Sequence, residues 1–178
     1  MDNEAQTNSR AAILVVDDEP RVVRSVARIF ASGPVRVLTA TDPHKALHEV
    51  ASQPDLRLVI SDYLMPGMNG LEFLSEVQRF NDSLIRIILT GHADLGAVLQ
   101  AINQVGVYKF ILKPWNNHDL YWTVLRALEL DEVRREKQRL QQQLASQSRI
   151  MKRIEQLYPG ISRIERDADG AIVLDEEI

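Results

Sequence analysis

Between residue 11 and about residue 116 the chain switches repeatedly between two hydrophobic periods. Short β-branched runs, AILVV, VRVLT (35–39), RLVIS (57–61), LIRIIL (84–89) and VYKFIL (107–112), predict five strands. Stretches with helical spacing lie between them. PRVVRSVARIFAS opens at Pro20, a favoured first helical position, and stops before Gly33-Pro34. DPHKALHEVAS has Asp42 as a capping residue with Pro43 behind it. GLEFLSEVQRF sets Leu71, Phe73/Leu74 and Val77 on one side, and HADLGAVLQAIN does the same with Leu95, Val98/Leu99 and Ile102. Strands that alternate with helices imply a parallel sheet covered on both faces. Handedness rules then point to an α/β, doubly wound, five-stranded sheet of flavodoxin type.

The fifth helical stretch does not stop where a domain of this kind would. It starts after Asn116-Asn117, and neither Pro nor Gly interrupts it from His118 until Pro159-Gly160. With Leu130 as heptad position a, the a and d positions are Leu130, Val133, Lys137, Leu140, Leu144, Gln147, Met151, Ile154 and Tyr158. Seven of these nine are apolar, which predicts a coiled coil of about four heptads and a seam for a homodimer. Some thirty residues of helix make a rod of roughly 45 Å. The alternative is a solvated helix folded back on the domain. The expected division is therefore 11–128 for the α/β domain, 129–158 for the helical extension and 159–178 for a short tail. In that tail Asp169-Gly170 between two apolar runs suggests a hairpin.

Composition narrows the class. The chain has 178 residues, 45% of them hydrophobic and 26% charged, as a folded domain requires. A formal charge of -4 argues against a nucleic-acid-binding surface over the whole chain. The cluster Arg134, Arg135, Lys137 and Arg139 is interleaved with acidic and glutamine residues, as on a solvated helix, so no nucleic-acid role is expected. There is no cysteine, which removes disulfides, thiolate chemistry and sulfur-based zinc sites. No apolar run reaches the length of a membrane span, so a cytoplasmic protein without membrane contact is expected.

In an open parallel sheet, ligands collect beyond the carboxyl ends of the strands. Four of the predicted strands run into polar groups there. The first reaches Asp17-Asp18, the third Asp62, the fourth Thr90 and the fifth Lys113; the second is expected at an edge. Each has an ordinary explanation alone: Asp18 as a helix cap, Thr90-Gly91 as a turn, Lys113-Pro114 as a loop. Their recurrence at equivalent strand ends favours one site. Clustered carboxylates repel, and a hard cation such as Mg²⁺ suits them. An ammonium and a hydroxyl beside such a set fit a phosphoryl group, and no base–nucleophile dyad of Ser–His type is present.

These motifs resemble the receiver domain of two-component response regulators. The resemblance rests on LVVDDEP (14–20), SDYLMPGMNGLEF (61–73), LTGH (89–92) and YKFILKPW (108–115), and it covers residues 11 to about 128. It implies that Asp62 accepts the phosphoryl group, and that Asp17, Asp18 and Asp62 hold Mg²⁺ together with the Leu64 carbonyl. It further implies Thr90 as the switch hydroxyl, Tyr108 as the switch aromatic, Lys113 as the phosphoryl contact and a cis Lys113–Pro114 bond. The expected donor is a sensor histidine kinase or phosphotransfer protein. The expected role is that of a phosphoacceptor rather than an enzyme with its own substrate, signalling through the fourth- and fifth-helix face to the coiled coil and an output protein. Two other readings stay open: a phosphate sink or relay without output, and a scaffold whose helix binds its partner constitutively.

Several other residues draw milder expectations. His44 and His48 stand one turn apart without a third metal ligand. His92 is expected at the rim of the site, Trp115 under the loop before the last helix, and Trp122 on a core-facing helix side. Asp167 to Gly170 reads as a turn rather than a calcium loop.

Overall fold

A computed structural model describes residues 10–91 and 105–158. In chain order these form β1 (Ala12–Val16), α1 (Pro20–Phe30), β2 (Arg36–Ala40), α2 (Pro43–Ser52), β3 (Leu56–Asp62), α3 (Gly70–Phe80), β4 (Ile85–Thr90), β5 (Lys109–Leu112) and α4 (Asn117–Leu157). The helical stretch expected over 92–103, His92 and the tail hairpin with its Asp167–Gly170 turn lie outside the described residues.

The five strands make one parallel sheet in the order β2-β1-β3-β4-β5. Chain order reverses between β1 and β3, because β2 lies on one side of β1 and every later strand on the other. This is the doubly wound arrangement expected from the alternating periods. All of β1 is buried, as is β3 apart from Arg57, which accounts for their nearly unbroken apolar sequences. β2 and β5 are the edges and stay partly exposed.

The two-residue period of each strand divides the core. Leu14, Val16, Val59 and Ile88 point to the face that carries α2 and α3. Ile13, Val15, Leu58, Ile60, Ile87 and Leu89 point to the other, where they meet Val26 and Phe30 of α1 and Leu120, Val124 and Ala127 of α4. An 11-residue helix such as α1 is marginal on its own, so burial of Val23, Val26 and Phe30 stabilises it. Capping sharpens the boundaries. Asp42 accepts the Lys45 N–H at 3.0 Å, as expected. For α1 the cap position is Glu19, without a side-chain bond, rather than Asp18.

Trp122 departs from the expectation of a core position. It is 47% exposed, and its indole N–H donates to His118 Nε2 at 2.8 Å. At 100° per residue it lies about 200° around the helix from Leu120, opposite the Leu120/Val124/Ala127 face. Trp115 is half-buried against the α1 side of the core, as expected, and donates to Asn117 Oδ1 at 3.1 Å. His44 and His48 are both exposed on α2.

The chain divides into two compact units between Glu132 and Val133. In the second, Val133 to Leu157 is helical throughout, with Leu140, Leu144 and Met151 open to solvent. No helix among the described residues is long and apolar enough to cross a membrane.

Candidate functional site

Parallel pairing aligns the carboxyl ends of β1, β3, β4 and β5 along one rim. Val16 is level with Ser61, Asp62 with Leu89, and Thr90 with Leu112. The residues that end or follow these strands are therefore neighbours, although Asp17 and Lys113 are 96 residues apart in sequence.

Asp17 is fully buried. Its Oδ1 accepts the Glu19 N–H at 2.9 Å, and its Oδ2 lies 2.7 Å from Lys113 Nζ. The same ammonium stands 2.7 Å from Oδ1 of Asp62, the last residue of β3. Asp62 Oδ2 accepts the Leu64 N–H at 3.1 Å, while the Leu64 side chain points to solvent. Asp18 is exposed, yet it offers a carboxylate oxygen within 4.8 Å of oxygens of Asp17 and Asp62. Thr90 is buried at the end of β4, and its carbonyl accepts the Lys113 N–H at 2.7 Å. The Lys113–Pro114 peptide is cis. Tyr108 stands before β5, its N–H bonded to the Arg86 carbonyl at 2.8 Å and its side chain 45% exposed. The structure thus brings Asp17, Asp18, Asp62 and Lys113 together, with Thr90 anchoring the strand beside them. Tyr108 sits at the opposite, amino-terminal end of β5.

The loop after Asp62 is held by groups that the motif reading passed over. Ser61 Oγ donates to the Asp62 carbonyl at 2.8 Å, and the Tyr63 N–H bonds the Leu89 carbonyl at 2.9 Å. Asn69 and Glu72 form a reciprocal capping box at the start of α3. The signal was present, since Asn-x-x-Glu before an apolar run is the pattern such a box requires. Gly70 has a different reason. A Cβ there would fall 2.0 Å from the Asp62 carbonyl oxygen, so the helix can start this close to β3 only without a side chain.

Burial raises the Asp62 pKa above the usual carboxylate value; the Lys113 ammonium opposes this shift and the Asp17 charge adds to it. Burial pulls Lys113 down, but the Asp17 and Asp62 carboxylates outweigh it and raise its pKa on balance. Three carboxylates against one ammonium leave two formal negative charges uncompensated within this group. Hard oxygen donors with that deficit fit a small divalent cation such as Mg²⁺. Among the described residues this is the one set of three or more side chains able to hold a metal. A cleft of about 440 Å³ beside α3, lined by Gly67, Met68, Leu71, Glu72 and Val105 among others, contains none of the three acids. Of the three acids Asp18 is exposed, while Asp17 is fully buried and Asp62 keeps 6% of its surface.

Residues 13–125 match the response regulator receiver domain. The chain belongs to that family. The chain is 32% identical over 146 residues to the hydrogenase transcriptional regulatory protein HoxA of Cupriavidus necator, an alignment that covers 82% of this chain and 30% of that protein. It is 35% identical over 132 residues to the nitrogen assimilation regulatory protein NtrX of Azorhizobium caulinodans, covering 73% of this chain and 29% of that one. Among solved structures, the signal receiver domain of an HD domain-containing protein from Pseudomonas fluorescens Pf-5 superposes with a TM-score of 0.68 at 32% identity, over 75% of this chain and 98% of that one. The chain thus spans about a third or less of the full length of these two regulators.

Proposed function

We propose that this receiver accepts a phosphoryl group on Asp62 in a Mg²⁺-dependent reaction and passes the change to a dimerising helix and a protein partner. Supporting this most directly is the contact of Lys113 Nζ with both Asp17 and Asp62 at 2.7 Å, beside a third acid. A carboxylate, an ammonium and a cation-binding acid pair supply what an in-line transfer needs.

The residues that would hold Mg²⁺ are Asp17, Asp18 and Asp62, with the Leu64 carbonyl. When bound, the ion supplies positive charge that relieves repulsion among the acids and stabilises the phosphoryl oxygens. Asp62 supplies the nucleophile. One carboxylate oxygen forms the new O–P bond as the bond from phosphorus to the donor's nitrogen or oxygen breaks, and the leaving group takes its proton from solvent. Lys113 draws a phosphoryl oxygen to its ammonium and keeps Asp17 paired. The Leu64 N–H orients the attacking carboxylate. Hydrolysis of the acyl phosphate returns the carboxylate and releases phosphate.

The product adds roughly two negative charges at the rim. Thr90, on the neighbouring strand end, is the hydroxyl that follows this charge, and Tyr108, half exposed before β5, is the aromatic that turns inward in response. Populations then shift on the surface next to β5 and α4. A sensor histidine kinase or phosphotransfer protein is the proposed donor to this acidic site. The exposed heptad stripe of α4 fits a second copy. HoxA is a transcriptional regulatory protein and NtrX a nitrogen assimilation regulatory protein, and an output protein in such a pathway is the proposed partner here, in the cytoplasm.

The test is intact-mass measurement after incubation with acetyl phosphate and Mg²⁺. One phosphoryl group should be added to the wild type and none to Asp62→Asn. Sedimentation with and without beryllofluoride then reads the helix: a sink predicts no change in assembly, and a constitutive scaffold predicts unchanged partner binding in Asp62→Asn.

A further inference from the structure

Asn69 is the one asparagine of the chain that precedes a glycine. The pairing answers two separate demands of the fold. Position 69 has to cap α3, and Asn69 Oδ1 accepts the N–H groups of Leu71 at 3.0 Å and Glu72 at 2.9 Å. Position 70 has to lack a side chain, because a Cβ there would stand 2.0 Å from the Asp62 carbonyl oxygen. Together they make the dipeptide most prone to lose its side-chain amide, since glycine has no Cβ to shield its nitrogen from the neighbouring carbonyl carbon.

We propose that Asn69-Gly70 is a modification site: a deamidation centre that the folded loop holds in check, one of whose products disables the segment carrying Asp62. The reaction needs only water. The Gly70 nitrogen bonds to Asn69 Cγ, the Cγ–Nδ2 bond breaks, and the proton lost from Gly70 leaves with the amide nitrogen as ammonia. Water then opens the resulting cyclic imide at either carbonyl. Cleavage of the new Cγ–N bond gives aspartate. Cleavage of the original peptide bond gives isoaspartate, whose main chain runs through Cβ and Cγ and is one methylene longer.

Three hydrogen bonds oppose ring closure in the folded protein. The Gly70 N–H is engaged by the Tyr63 carbonyl at 2.8 Å, so its nitrogen is not free to attack. The bonds from Leu71 and Glu72 hold the Asn69 side-chain carbonyl against the helix instead of over Gly70. Having to open all three slows the reaction about a hundredfold relative to the unfolded chain.

The two products differ in fit. Aspartate at position 69 keeps an acceptor oxygen at the positive end of α3, so the helix and the loop persist. Isoaspartate does not fit. Gly70 is buried against the Asp62 carbonyl without room even for a Cβ, and the added methylene has to displace either α3 or the end of β3.

The full chain is aged in mildly alkaline buffer, folded and in urea, and peptide mapping follows the mass gain of amide-to-acid exchange at every asparagine. Asn69 should convert first in urea, and about a hundredfold more slowly in the folded protein. Equal rates in the two conditions, or another asparagine outrunning Asn69 in urea, would overturn the proposal. Gly70→Ala aged in urea, where folding does not matter, should convert much more slowly at Asn69; conversion at the wild-type rate would also overturn it. Wild-type chains aged in urea are then refolded and labelled with acetyl phosphate and Mg²⁺. Asp62 and Asn69 lie on one tryptic peptide, bounded by Arg57 and Arg79, so label and product are read together. Label is expected on peptides with asparagine or aspartate at position 69 and not on those with isoaspartate; equal labelling would refute the disabling effect. This last arm rests on the phosphoacceptor reading. A fresh wild-type chain that takes no label would refute that reading, while the rates in buffer and urea still decide whether the site is real.

Discussion

Gly70→Ala tests whether the site depends on how closely α3 approaches the end of β3. The added methyl would stand 2.0 Å from the Asp62 carbonyl oxygen, 2.9 Å from its carbon and 3.0 Å from Tyr63 Cα. All three are backbone atoms of the segment that carries the nucleophile, so no side chain can swing aside. Reaching an ordinary contact takes a shift of about 1 Å or more. Overpacking of this kind costs about 1–3 kcal/mol. The shift also strains the Gly70 N–H bond to the Tyr63 carbonyl, 2.8 Å long, whose loss costs about 1 kcal/mol. The greater helix preference of alanine returns about 0.5–1 kcal/mol. The net destabilisation is about 2 kcal/mol, or a fall of about 8 °C in Tm for a domain of this size. Displacing the nucleophile by about 1 Å should slow phosphoryl transfer about a hundredfold. Gly67→Ala is the control: its φ is +80° with open space around the added methyl, so the cost is backbone strain of about 1 kcal/mol and labelling should persist. Thermal unfolding of the full chain and initial labelling rates with acetyl phosphate and Mg²⁺ provide both readings. If Gly70→Ala melts within about 2 °C of wild type and labels at its rate, the close-approach argument is wrong.

Three further outcomes are expected. Asp62 has a folded pKa above its unfolded value, so the folded state holds that proton more tightly and loses stability as pH rises through the raised pKa. Asp62→Asn should therefore melt higher than wild type at neutral pH without added metal. The gap should close in acid, and Mg²⁺ should narrow it by stabilising only the wild type, as calorimetry across pH would read. Lys113→Met leaves buried Asp17 and Asp62 facing each other uncompensated and should destabilise by about 3 kcal/mol, read by urea unfolding. Because the Lys113 pKa is raised, its contribution in wild type should hold at neutral pH and fade as pH climbs above 10.5. Asn69→Ala removes the acceptor for two N–H groups at the start of α3 and should cost about 1 kcal/mol in the same assay, with Asp62 still able to accept label.

The helical and strand periods were legible because each reports the environment of one element at a time. They placed α1, α2 and α3 within a residue or two and marked β2 as an edge. They failed at Trp122, where bulk and apolarity suggested core while the helical angle turns the ring to solvent. Nothing in the local pattern singles out Gly70, whose requirement comes from the β3 backbone beside it. A local pattern carries no information about which atoms of another segment arrive there.

The sequence by itself determined that four strands would end in chemistry-bearing residues, since period and punctuation are properties of the covalent chain. Only the tertiary structure decided that these ends meet. Strand order puts β1 beside β3, and register sets Asp62 level with Leu89 and Thr90 level with Leu112. One lysine amine can then reach two acids on different strands at 2.7 Å. The physical reason is that sheet pairing and the packing of both faces are long-range, and they convert positions far apart along the chain into distances short enough for charge to act.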